Sequence, residues 1–103
     1  MVEEFKRQLS CEVCFIPVEV VAEIVYVLSK IYGVERALIA KTLTGIADVS
    51  NIVVAQYNVV LYALSVYAST TLDFVDCLLI GYAKKDRYTI FTFDKKLQKF
   101  LNE

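Results

Sequence analysis

The chain has 103 residues, 57% of them apolar, with 11 basic against 12 acidic side chains and a net charge of −1. This excludes disorder as the main state, a second independent core, and the global basic footprint of a protein that coats nucleic acid. The absence of histidine excludes Ser-His-Asp and Cys-His catalysis and every His-containing zinc site, which leaves carboxylates, lysines, hydroxyls and thiols for any chemistry.

Residues 2–9 (VEEFKRQL) read as a short, exposed amphipathic helix, and the charged opening does not read as a signal peptide. Residues 12–16 (EVCFI) read as a strand. Cys11 and Cys14 form a lone C-x-x-C, and only Cys77 remains to join them, too few ligands for tetrahedral zinc. The cysteines therefore read as small apolar residues in a reduced, cytoplasmic setting. Pro17 ends the strand and suits the first turn of the next helix. That helix is VEVVAEIVYVLSKIY, with Gly33 as its stop and Val20, Ile24, Val27 and Ile31 as its core stripe.

A second helix, 34–44, is predicted to stop at Gly45. Glu35, Arg36 and Lys41 mark its wet face, and Leu38, Ile39 and Leu43 its dry one. Residues 48–50 are a loop and 51–55 (NIVVA) a β-branched strand. Residues 57–68 are apolar nearly all round, the pattern of a helix buried on more than one side. The uncharged stretch 49–72 is broken by eight polar residues, so it is not a membrane span. Asp73 opens the helix DFVDCLLIGYAKK. Gly81 inside it costs about 1 kcal/mol relative to Ala, which close packing would justify. Residues 88–93 (YTIFTF) read as a strand, and Asp94 caps a last helix, KKLQKFLN. The alternation predicts one α/β layer domain with a parallel sheet. The apolar surplus suggests that some side chains face a partner subunit.

Three acids stand out. Glu23 has apolar residues on both sides and Tyr26 and Val27 at i+3 and i+4, so no local cation neutralises it. Buried there, it needs a partner from outside its helix. Asp76 has Leu79 and Ile80 at those positions, and no Lys or Arg occurs anywhere in 42–83. Asp94 follows directly on a strand, at the sheet edge where ligands bind in open α/β folds. Asp73 and Asp94 also suit helix caps, and Asp76 suits a first turn through the helix dipole. Three acids converging without cations suggest an oxygen-ligand site for Mg²⁺ or Mn²⁺.

In order and spacing, IPVEVVAEIVYVLSKIYGV and then DFVDCLLIGYAKKDRYTIFTFDKKL resemble the PIN domain, in particular the small toxin-like ribonucleases of toxin–antitoxin pairs. The resemblance covers about residues 12–100. It implies a three-layer PIN-like α/β fold with a parallel sheet. It implies Mg²⁺ or Mn²⁺ held by Glu23, Asp76 and Asp94, with Asp73 and the hydroxyl of Thr92, in the pattern Thr92-Phe93-Asp94, supporting them. The activity implied is metal-assisted hydrolysis of an RNA phosphodiester. Such proteins resemble homodimers that also bind an antitoxin. PIN domains begin with a central strand carrying a further Asp ligand, and the sequence aligns from what looks like the end of the first helix. Glu3, Glu4 and Glu12 do not replace that Asp. The expectation is an N-terminally truncated domain whose strands 12–16 and 88–93 keep unpaired edges, with a site one ligand short.

Two functions follow. One is the metal-dependent ribonuclease. The other is a non-catalytic module that binds a partner or itself, in keeping with the apolar surplus and with Tyr57, Tyr62 and Tyr67 on or near the apolar helix, though core filling explains those tyrosines as well. Residues 84–99 carry six basic side chains against Asp86 and Asp94, a local +4. Lys95 and Lys96 are candidates to steer RNA phosphate, and a solvated helix end explains them equally.

Overall fold

The computed structural model describes residues 13–102. The helix predicted for 2–9, together with Cys11 and Glu12, lies outside the described residues. The described part is mixed α/β, mostly helical around a short parallel pair of strands. Strand β1 (Cys14–Ile16) pairs in parallel with β2 (Ile52–Val54), Cys14 opposite Ile52 and Ile16 opposite Val54. Between them run helix α1 (Val18–Tyr26), a π-helical turn (Val27–Ile31) and helix α2 (Arg36–Ala47). Helices α3 (Tyr57–Ser69), α4 (Phe74–Lys85) and α5 (Lys95–Leu101) follow.

Each element forms for a local reason. Pro17 holds extended backbone ahead of α1, and its carbonyl accepts from the amides of Val20 and Val21. Gly33 stops the first helical segment with φ +64, a left-handed position that glycine adopts without steric cost. Helix α3 is buried at Val59, Val60, Ala63, Leu64 and Tyr67, as its all-round apolarity predicts. It packs most closely against α4, and Gly81 is the reason: a Cβ there would lie 2.9 Å from the Val59 carbonyl oxygen. Tyr67 and Phe74 meet edge to face, centroids 5.9 Å apart, at the other end of the same seam. Tyr67 is thus a core residue, while Tyr62 is half-buried and Tyr57 exposed.

Four expectations are corrected. The buried stripe of α1 is Val21 and Val25, while Val20 is 39% and Ile31 66% exposed. The segment is apolar on two faces, and the one toward α4 is packed. Helix α2 begins two residues later and runs through Gly45 to Ala47, because Leu43 and Ala47, one turn apart, both enter the core. Leu38 lies outside that core, and Arg36, read as wet, is half-buried. Residues 88–93 form no strand. A strand exists through its ladder, and among the described residues none pairs with this segment. The Thr92 carbonyl instead accepts from Gln98 Nε2 at 2.8 Å.

Gly45 has open space where a Cβ would point. Gly45→Ala should therefore raise Tm by about 4–8 °C through helix propensity alone. Thermal unfolding followed by circular dichroism checks this, and an unchanged or lower Tm would contradict it.

Candidate functional site

The start of α4 carries two of the predicted acids. Asp73 occupies the N-cap position, but its carboxylate makes no capping bond, contrary to the reading of Asp73 as a helix cap. Asp76 lies in the first turn and is half-buried. Asp94 lies just before α5, and its Oδ1 accepts from the amides of Lys96 at 2.9 Å and Leu97 at 3.1 Å. Those bonds place one face of the Asp94 carboxylate on the helix start. The amide of Asp94 donates to Thr92 Oγ1 at 3.1 Å, so Thr92 supports Asp94 through its backbone. The fully buried Leu97 anchors α5 against the rest of the molecule.

Asp76 feels both of the other aspartates. The carboxyl of Asp76 is pushed above the usual carboxylate range by burial first, then by the negative charges of Asp94 and Asp73. Lys96 works in the opposite direction. Its Nζ lies 3.4 Å from Thr71 Oγ1, on the connector that leads into Asp73. Lys96, predicted to steer phosphate, is therefore placed as a neighbour of the acids. Lys95 is exposed on the first turn of α5.

Glu23 is not brought to this group. It is exposed and borders a shallow depression with Val20, Ile24 and Val27. Successive helical residues are rotated by about 100°. In α1 it is Ala22, Val25 and Tyr26 that face Asp73 and Asp76, across a cleft of about 750 Å³. The buried, unpartnered carboxylate expected at Glu23 is thus replaced by a solvated one.

That cleft also holds a residue whose charge predicts the wet face. Arg36 donates from Nε to the Tyr67 carbonyl at 2.8 Å and from Nη2 to the Leu72 carbonyl, and its guanidinium lies 3.6 Å above the Tyr67 ring. It thereby supplies donors to the C-terminal end of α3, where backbone carbonyls lack helical partners. It also fixes Leu72, the residue before Asp73. The signal for this was its spacing: Arg36, Ile39, Ala40 and Leu43 share one helical face, and the last three are core residues.

Carboxylate oxygens are the donors that a hard divalent cation takes, and the repulsion Asp76 meets from Asp94 and Asp73 is what such an ion relieves, so the chemistry of the donors fits Mg²⁺ or Mn²⁺. Among the described residues, no three acidic or thiol side chains stand close enough to ligate one ion. Among the described residues the thiols do not contribute. Cys77 is fully buried, with its thiol pushed up to about 11 chiefly by burial, and Cys14 is half-buried at the sheet. Among the described residues, no helix is long and apolar enough to cross a membrane.

A family model described as the PIN domain matches residues 2–101. No curated protein and no solved structure matches the chain.

Proposed function

The chain belongs to the PIN domain family, whose members are generally nucleases, and on that premise we propose that it is a metal-dependent ribonuclease of the toxin type. The observation that carries this reading is Asp76, a half-buried carboxylate held above its usual range beside Asp73 and Asp94 at the start of a helix. Perturbed acids of this kind cluster at functional sites. Asp76 and Asp94 would hold Mg²⁺ or Mn²⁺, with Asp73 adding negative charge beside them. A bound ion supplies positive charge to the phosphoryl oxygens and acidifies an attacking water. The chain's own residues do the positioning. Asp94 is fixed by α5 and Thr92, Asp73 follows a connector tied down by Arg36, and Lys96 tempers the negative charge between them.

The resemblance to toxins of toxin–antitoxin pairs supports an antitoxin and a second copy as partners. The substrate is RNA. Asp94→Asn tests the reading, because Asn caps a helix about as well as Asp, and α5 should survive the change. The variant should lose Mn²⁺-dependent cleavage of a labelled RNA by about 100-fold or more. Cleavage equal to wild type would reject the assignment.

A second reading, a non-catalytic interaction module, is favoured by one observation. An apolar groove of about 660 Å³ opens between the sheet and helices α1 and α2, bordered by Phe15, Ile16, Ile24, Leu28 and Leu43. Such grooves mark interaction sites. This reading requires a stable dimer by light scattering at low micromolar concentration, and it separates from the first in that the dimer cleaves no RNA when Mn²⁺ is added.

A further inference from the structure

We propose that Phe91 and Phe93, together with the cations of their own segment, form a stacking platform for single-stranded RNA that leads directly into Asp94. The inference rests on the ribonuclease reading only for the direction in which the strand runs. Binding to the platform does not require a metal.

Phe91 and Phe93 are 86% and 85% exposed, more than any other large apolar side chain among the described residues. Their rings meet edge to face, with centroids 5.1 Å apart and planes at 79°. The backbone that carries them is anchored. Between the two rings, Thr92 accepts from the Asp94 amide through its hydroxyl and from Gln98 through its carbonyl. Two aromatic side chains held outward on a fixed backbone offer π-faces to unstacked bases, the recurring device of single-strand recognition.

Charge selects the occupant. Residues 84–99 contain Lys84, Lys85, Arg87, Lys95, Lys96 and Lys99 against Asp86 and Asp94, a net +4. The whole chain is −1, so the other residues sum to −5. The positive charge is thus concentrated on the segment that exposes the two rings. A protein partner would be met by a patch depleted of lysine, since interface cores avoid charge. A phosphate backbone with exposed bases matches both features at once. Arg87 adds to the pattern. Its φ of +60 is left-handed, a conformation that disfavours a residue with a Cβ. The chain keeps a cation where Gly or Asn would fit more easily. Duplex RNA does not suit the platform, because its bases are already stacked.

The test is fluorescence anisotropy of the full chain with a labelled 12-nucleotide single-stranded RNA, in EDTA and at low salt. The same sequence as a duplex serves as comparison. The platform predicts tighter binding to the single strand, with Kd weakened about 10-fold by Phe91→Ala and again by Phe93→Ala. Phe91→Trp with Phe93→Trp, which keeps the stacking faces, should retain the affinity. Equal binding by wild type and the double Ala variant would overturn the proposal, as would no binding by either or a dimer that depends on these two rings. Loss of Mn²⁺ binding elsewhere in the molecule leaves all of these outcomes readable, because EDTA is present throughout.

Discussion

Asp76→Asn should remove Mn²⁺-dependent RNA cleavage, by about 100-fold or more, and at the same time raise the Tm of the metal-free protein at pH 7 by a few degrees. The two effects have one cause. Burial and the charges of Asp94 and Asp73 lift the folded-state pKa of Asp76 above its unfolded value. The protonated form is therefore favoured by the fold. The stabilisation this gives is complete below the ordinary Asp range and is lost as pH rises through the lifted value. Above that value the carboxylate is charged, and its charge costs stability. The amide removes that cost together with the ligand. The opposite pairing, a lower Tm with cleavage retained, would mean that Asp76 is structural. In wild type, added Mn²⁺ should raise Tm in proportion to the logarithm of its concentration above Kd. In the variant it should raise it little.

Gly81→Ala should lower Tm by about 5–15 °C, although Ala is the better helix former. The added Cβ would lie 2.9 Å from the Val59 carbonyl oxygen and 3.1 Å from Val59 Cγ1. The oxygen belongs to the backbone of α3 and cannot swing aside, so α3 and α4 must move apart along their main seam. That seam includes Tyr67 and Phe74, and Phe74 immediately follows Asp73. The substitution should therefore also weaken metal binding. Gly45→Ala is the internal control: it is the same change in another helix, with open space around it and the opposite sign. Thermal melts of both variants decide the matter, and two shifts of the same sign would contradict the packing account.

The parts of this molecule that were legible in sequence are those set by short-range chemistry. Asp94 capping α5, the left-handed Gly33 and the all-round burial of α3 each follow from residue type and spacing. The close approach at Gly81 follows from the cost of glycine within a helix. The parts that were not legible depend on which neighbour a residue meets. The segment 18–31 is apolar on two faces, Val20–Ile24–Val27 and Val21–Val25, and periodicity does not say which one the fold covers. Choosing the first placed Glu23 in the interior, whereas the fold packs the second and turns Glu23 to solvent. Arg36 looked solvated because charged residues usually are. Its place beneath α3 became visible only with the carbonyls of Tyr67 and Leu72 in position. The alternation in YTIFTF is a genuine β signal, but a strand needs a ladder partner, and that is a tertiary fact.

The candidate site shows the same division. Asp73 and Asp76 were legible as a pair because three residues on a helix bring side chains to one face. The approach of Asp76 to Asp94, across two helices, was legible from the edge where helices start in an open α/β fold, although the strand expected to lead into Asp94 does not form. The exposure of Phe91 and Phe93 was not legible at all, since apolar residues in a β-like run are ordinarily core.

The proposed function stands on a divalent cation held by Asp76 and Asp94. Isothermal titration of Mn²⁺ into the purified chain, beside Asp76→Asn under the same conditions, tests it most directly. Wild type should show saturable binding with a stoichiometry near one, and the variant should lose it. No binding by wild type, or equal binding by both proteins, would contradict it.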